Sequence, residues 1–313
     1  MNFGKQIKDE IITKPAKERH CKKAFLAGLV RGSGALYEKD GALGLEFKVS
    51  EESVAEIAGD YLKSVCGYDV REVGFSEDKL NKKDVFYIDV IGDGSLDTLE
   101  ALGIIDKTPE GVNVSYDMFK VCENRECCKK AFLRGLFVSC GSCTVPDGEN
   151  AASGYHLEMS FSHSTTALAV SEAIAAFGVS GRIIRRKESF VLYLKSAEEI
   201  KDFIAMLPAP VSVLKLTDIM IERELSNNSN RQTNCDIGNV NKQVEASAKQ
   251  TEAIKKISEK QGLSSLKKEL YDTATARIKY PDDTLSELAE RLNVSKSCLN
   301  HRLRKLVCIA NEV

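Results

Sequence analysis

Cys21–Leu36 reads CKKAFLAGLVRGSGAL, and Cys128–Cys143 reads CKKAFLRGLFVSCGSC. The two stretches share CKKAFL and a following glycine, Gly28 and Gly135, at an offset of 107 residues. A second match sets LEFKVS at Leu45–Ser50 against LEMSFS at Leu157–Ser162 at an offset of 112, so the second copy carries five more residues between the matches. Those extra residues fit a longer hairpin loop. Self-similarity at this length means that one supersecondary unit is built twice.

The hydrophobic pattern after each match supports the duplication. In the first copy, alternating GLEFKV precedes a helical stretch at 53–65, a strand at 69–75, a polar loop, a strand at 85–91 and a helix at 95–102. In the second copy, YHLEMSF precedes a helix at 165–177, a strand at 182–186, a Lys187-Glu188-Ser189 turn, a strand at 190–194 and a helix at 197–207. Each half therefore reads αββαββα, with halves at about 20–107 and 127–207. Strands joined without strict βαβ alternation favour antiparallel pairing and an α+β class. The first helix of each half is apolar around a small residue, Gly28 or Gly135, so the halves are expected to pack through these helices.

The 313-residue chain carries 44 Lys+Arg against 46 Asp+Glu, with 43% hydrophobic residues and no Trp. Its length fits two domains with substantial cores. The near-zero net charge argues against a chain that coats nucleic acid or an anionic membrane along its whole length. The N-terminus has no apolar leader and no stretch reaches the length of a membrane span, which predicts a cytoplasmic protein without a membrane partner. Ten Cys in that compartment are expected as reduced thiols. No GxxxxGK[ST] or GxGxxG occurs, so no nucleotide cofactor is indicated.

The repeated KAFLAGLVRGSG and KAFLRGLFVSCG resemble the LAGLIDADG motif of homing endonucleases, aligned on Leu26–Gly34 and Leu133–Gly141. In active members the eighth motif position of each half is acidic, and the two carboxylates hold divalent metal for phosphodiester hydrolysis. Here those positions are Ser33 and Cys140. A hydroxyl and a thiol do not supply the hard anionic oxygens that Mg²⁺ requires. The resemblance therefore implies a catalytically inactive domain; Asp40, Glu46 and Glu158 keep open an endonuclease with relocated acids. Regional charge agrees with inactivity: residues 1–239 hold 30 Lys+Arg against 36 Asp+Glu, whereas residues 240–313 hold 14 against 10. Arg182, Arg185, Arg186 and Lys187 form a local positive group, read as a solvated sheet edge or a residual contact site.

Five cysteines, Cys122, Cys127, Cys128, Cys140 and Cys143, fall within 22 residues, and Cys140–Cys143 is a CxxC with His156 and His163 downstream. Two thiolates and two imidazoles would suit zinc. The His spacing is outside the usual finger range and His156 starts a predicted strand, while Cys21 and Cys128 match in the repeat as buried thiols on apolar helices. No metal site is expected.

The Asn- and Ser-rich stretch after Leu225 marks a linker at 223–239, between a domain at 1–222 and a helical domain at 240–313. Helical spacing runs over 240–258, ended by Gly262, and again over 263–278, ended by Pro281. Thr284 with Glu287 forms a capping box, and Leu285, Leu288, Ala289 and Leu292 form one apolar face. Asn293 can take the positive φ of a short turn, Ser295 can cap the next helix, and Leu299, Leu303, Leu306 and Ala310 make its buried stripe. No acid stands between Glu290 and Glu312, whereas Arg291, Lys296, Arg302, Arg304 and Lys305 are basic.

This segment, 284–307, resembles a helix-turn-helix, with Asn293 in place of the frequent turn glycine and Arg302 at a position that is usually apolar. Asn300 and Arg304 suit bidentate contacts to base edges, and Ser297 and His301 single ones. Lys296, Arg302 and Lys305 suit phosphates. The inactive duplication joined to this segment, with NHRLRKL at Asn300–Leu306 and FGKQIKDEI near the N-terminus, resembles the WhiA family of bacterial regulators. What the resemblance implies is a nucleoid-associated transcription factor acting on promoter DNA in sporulation, cell division or chromosome organisation, with a possible protein partner in transcription. A ligand or protein sensor in which the N-terminal domain dominates stays open beside it.

Overall fold

A computed structural model describes residues 2–70, 73–78, 83–146 and 154–312. The chain divides into two compact units, Met1–Glu222 and Arg223–Val313.

In the first unit, helix α1 (Phe3–Ile12) buries Phe3, Ile7 and Ile11. The two repeated segments form helices α2 (Arg19–Ser33) and α5 (Glu126–Cys140). Both are buried on all sides through their middles, Ala24–Val30 and Ala131–Val138, as expected of helices apolar around their circumference. They meet at their glycines. A Cβ on Gly28 would lie 2.0 Å from the Phe132 carbonyl oxygen, and one on Gly135 would lie 2.0 Å from that of Phe25. Both pairs keep the repeat offset of 107, so the contact is symmetric residue by residue.

Each motif helix leads into a four-stranded antiparallel sheet. The first sheet contains β1 (Gly34–Lys39), β2 (Ala42–Val49), β3 (Val73–Asp78) and β4 (Lys83–Val90), in the order β1-β2-β4-β3. The second contains β7 (Gly141–Thr144), β8 (His156–Phe161), β9 (Arg182–Arg186) and β10 (Ser189–Leu194), in the matching order β7-β8-β10-β9. Leu45, Phe47 and Val49 on β2, and Leu157, Met159 and Phe161 on β8, point into the core by the period-two rule. The β1–β2 connection is the two-residue turn Asp40-Gly41, both at positive φ, as a primed hairpin turn requires.

Helices α3 (Glu52–Tyr61), α4 (Ser95–Ala101), α6 (Ser164–Ala175) and α7 (Ala197–Met206) complete the two copies. The expected αββαββα order holds in both. Three differences have physical reasons. The strand expected at 69–75 is β3 at Val73–Asp78, because pairing sets Val73 opposite Ile88 and Asp78 opposite Lys83. Ser189, read as the end of a turn, is already paired with Arg186, which leaves Lys187-Glu188 as the turn. A hairpin absent from the repeat pattern, β5 (Ile105–Thr108) with β6 (Gly111–Val114), joins the halves. The longer connection in the second copy falls between β7 and β8, and its residues 147–153 lie outside the described ones.

Two arginines of the motif helices, buried Arg134 and half-buried Arg31, tie neighbouring backbone to this core. The Arg134 guanidinium donates to the carbonyls of Ile11 and Lys14, and that of Arg31 donates to Gly103 at 2.7 Å and Ser115 at 2.9 Å.

Helix α8 spans Pro210–Lys260, so the expected linker at 223–239 is helical throughout. Asn and Ser are only mildly unfavourable in a helix, and the strong breakers are missing apart from Gly238. Composition alone therefore reads as loop where the backbone hydrogen-bond ladder continues. At its start Pro210 occupies the first turn, and the Glu10 carboxylate supplies the cap that Ala209 cannot. It accepts from the Val211 N–H at 2.8 Å, the Ser212 N–H at 2.9 Å and the Ser212 hydroxyl at 3.0 Å. Burial works to raise the Glu10 pKa, but these bonds and Lys14 outweigh it and hold the carboxyl below its ordinary 4.5. A depressed folded pKa contributes stability that is present above the unfolded value and lost as pH falls through the folded one. Glu10→Gln is therefore expected to cost about 1 kcal/mol at neutral pH and progressively less below pH 4.5, checked by chemical denaturation across pH.

The second unit is all-α. Ile254 and Ile257 near the end of α8 pack with helices α9 (Lys268–Lys279), α10 (Leu285–Arg291) and α11 (Lys296–Glu312). Gly262 ends α8 with φ +77 and donates to the Ile257 carbonyl.

Candidate nucleic-acid interface and the motif helices

Local sequence fixes the helical hairpin of the second unit. The Thr284 hydroxyl accepts from the Glu287 N–H at 3.2 Å, and the Glu287 carboxylate accepts from the Thr284 N–H at 2.7 Å. Asn293 takes φ +51, and the Ser295 hydroxyl accepts from the Cys298 N–H at 3.2 Å to start α11. Leu299, Leu303, Leu306 and Ala310 are buried against Leu288 and Ala289. Buried Arg277 braces the approach to α10 by donating to the carbonyls of Tyr280, Pro281 and Asp283. Arg291 stacks over Tyr280, 4.1 Å from its ring centre, and pairs with Asp283, so its charge is engaged within the fold.

With one face of α11 committed to the core, the other presents the residues singled out in the sequence. Lys296, Ser297, His301, Arg304 and Lys305 are exposed and Asn300 is half-buried. Among the described residues none of these six side chains has a hydrogen bond or ion pair within the chain. At 100° per residue Ser297, His301 and Arg304 share one line, flanked by Asn300 and Lys305. Arg302 differs: its side chain is 19% exposed and its guanidinium lies 3.9 Å from the Glu269 carboxylate on α9. The structure thus places Arg302 at the α9–α11 junction and apart from the other six.

The eighth motif positions of α2 and α5 carry no carboxylate. The Ser33 hydroxyl donates to the Leu29 carbonyl at 3.2 Å, and the Cys140 thiol to the Leu136 carbonyl at 3.3 Å. Each side chain closes onto its own helix four residues back. Burial pushes the Cys140 thiol up to about 12, so it stays neutral. The nearby acids are engaged elsewhere or lie apart. Glu158 accepts from His156 at 2.9 Å and from Arg186 at 3.3 Å; Asp40 forms the β1–β2 turn; Glu46 sits opposite Ala35 and Asp89 in the sheet. Of the positive group, Arg182, Arg185 and Arg186 are exposed on β9, the edge strand, and Lys187 starts its turn.

Cys140, Cys143, His156 and His163 do not converge. Cys143 is buried on β7, and burial pushes its thiol up to about 12. The one gathering of metal-capable donors among the described residues is His20, Cys21, Cys127 and Cys128, whose ligand atoms lie within 4.8 Å of one another. Burial, then the neighbouring Cys127 and Cys128, push the Cys21 thiol up to about 12. The repeat carried the signal for this group: His20-Cys21 and Cys127-Cys128 are the same positions in the two copies. The CxxC begins at the other end of α5, away from this group.

Comparison with known proteins places these features in one lineage. A family model described as the WhiA LAGLIDADG-like domain matches residues 22–89 and 129–226, and one described as the WhiA C-terminal HTH domain matches 229–310. A protein of Heliobacterium modesticaldum described as "Probable cell division protein WhiA" is 33% identical over 99% of this chain and 96% of its own length. One of Caldicellulosiruptor saccharolyticus with the same description is 34% identical over 100% and 96%. The full-length DUF199/WhiA structure from T. maritima covers 100% of this chain and 99% of its own, with a TM-score of 0.58 at 22% identity, a likeness of fold. By the extent of these matches, and with its duplicated degenerate LAGLIDADG-like domain followed by a helix-turn-helix domain, the chain belongs to the WhiA family.

Proposed function

We propose that this protein is a bacterial transcriptional regulator that binds specific double-stranded promoter sites through α11 and acts in cell division. The observation that carries the reading is the set of exposed Lys296, Ser297, His301, Arg304 and Lys305 with half-buried Asn300, their side chains unpartnered within the chain, on the second helix of a capped helical hairpin. Asn300 and Arg304 read base edges, Ser297 and His301 add single contacts, and Lys296 and Lys305 hold phosphates. Arg302 positions α11 against α9. The first unit is a non-catalytic relative of homing endonucleases, because its motif side chains are neutral and bonded to their own helices. The protein works in the cytoplasm, on the nucleoid, with any protein partner in transcription meeting it there. The relatives at 33% and 34% identity, each described as a probable cell division protein, support the assignment to cell division.

Genome-wide mapping of bound DNA, followed by titration of the full chain onto a recovered site and a scrambled one, tests the reading. The expected result is specific binding tighter by about 10³ or more at physiological salt, with plasmid left uncut in Mg²⁺ or Mn²⁺. Equal affinity for both duplexes would remove the regulator, and robust cleavage would restore the nuclease.

A further inference from the structure

We propose that His20, Cys21, Cys127 and Cys128 form a structural Zn²⁺ site that staples the first turns of the two motif helices together. The donors come from both halves: His20 and Cys21 stand at the start of α2, which begins at Arg19, and Cys127 and Cys128 at the start of α5, which begins at Glu126. The His20 Nδ1 lies 3.2 Å from the Cys128 Sγ and 3.3 Å from the Cys21 Sγ. All four ligand atoms fall within 4.8 Å of one another. Tetrahedral zinc, with bonds of about 2.3 Å to sulfur and 2.0 Å to nitrogen, needs neighbouring donors roughly 3.5–3.8 Å apart. Rotamer adjustments of about 1 Å bring the set to that geometry.

The chemistry of the donors selects the metal. Three thiolates and one imidazole are soft to borderline ligands that suit Zn²⁺ and are poor for Mg²⁺, Ca²⁺ or Mn²⁺. Four protein ligands fill a tetrahedron and leave no open position, which is the arrangement of structural sites. The thiols give up their protons only as the metal enters, its charge offsetting their burial and mutual proximity. Neither helix has a side-chain N-cap, since Glu18 and Arg125 make no capping hydrogen bond. Cys128 is buried, His20 and Cys21 are half-buried, and Cys127 is exposed, so the metal would have a route in from solvent. Binding releases one proton from each thiol that enters as thiolate, with no change of oxidation state. The site is independent of DNA recognition by α11 and of the degenerate motif positions at the other ends of α2 and α5.

The test is metal analysis of the full chain, expressed in zinc-supplemented medium and purified under reducing conditions without chelator. The expected content is about one zinc per chain, falling at least tenfold in the Cys21→Ser/Cys127→Ser variant and unchanged in Cys235→Ser. Replacement by Co²⁺ in the wild-type chain gives a readout that does not depend on a variant folding. Intense tetrahedral ligand-field bands with thiolate-to-cobalt charge transfer are expected. A chelator should lower the melting temperature by about 5 °C or more. Absence of zinc together with absence of the cobalt spectrum overturns the proposal. So does zinc retained in full by the double variant, or a disulfide between Cys21 and Cys127 or Cys128 in the reduced preparation.

Discussion

Gly28→Ala is expected to destabilise the first unit by about 3 kcal/mol, an unusually large effect for one methyl group. The new Cβ would sit 2.0 Å from the Phe132 carbonyl oxygen and 2.9 Å from the Leu136 nitrogen, both backbone atoms with no rotamer to yield. Sliding the helices apart does not relieve it, because Gly135 makes the reciprocal contact with the Phe25 carbonyl and would be pulled out of register. Gly135→Ala should therefore match it in size. The same substitution at Gly59, inside α3 with open space where a Cβ would stand, is expected to stabilise by about 0.5–1 kcal/mol, since it removes only backbone freedom from the unfolded chain. Chemical denaturation followed by circular dichroism compares the three. Equal effects at Gly28 and Gly59 would refute close helix contact as the organising feature of the duplication.

Arg304→Ala is expected to weaken binding to a mapped site by about 1–3 kcal/mol, roughly five- to hundredfold, and to relax base preference at one position. Arg304 is exposed, lies on the line of Ser297 and His301, and has no partner within the chain to lose. Its removal should therefore leave folding intact, which a thermal melt would verify. Lys296→Ala at the start of α11 should behave differently. A phosphate contact carries no sequence information, so affinity should fall on all duplexes alike and the salt dependence should shrink by about one unit of slope. If Arg304→Ala left affinity and base preference untouched, α11 would not be the reading element through this residue.

Features whose physics is local were legible in the sequence. The Thr284–Glu287 capping box, the positive φ of Asn293 and the stripe Leu299, Leu303, Leu306 and Ala310 each follow from residues a few positions apart. The duplication was legible because both copies repeat the same periodic pattern, and it led to the matched sheets. Distant partners were not. Glu269, which engages Arg302, lies on another helix, and no spacing rule connects them. Residues 223–239 hid a helix because Asn and Ser mark loops by frequency while costing a helix only tenths of a kcal/mol each. The group at His20, Cys21, Cys127 and Cys128 was written in the repeat, yet it shows only when the two helices are laid side by side so that equivalent positions meet.

The back-bonded Ser33 and Cys140 set a cost on placing a carboxylate at either eighth motif position. An acid placed at Cys140 alone would enter a half-buried site facing the Leu136 carbonyl, so that change would weaken the fold. It would also gain nothing, because holding the metal takes a carboxylate from each half. The paired helices thereby hold their ends in place with neutral side chains, whatever task the first unit performs.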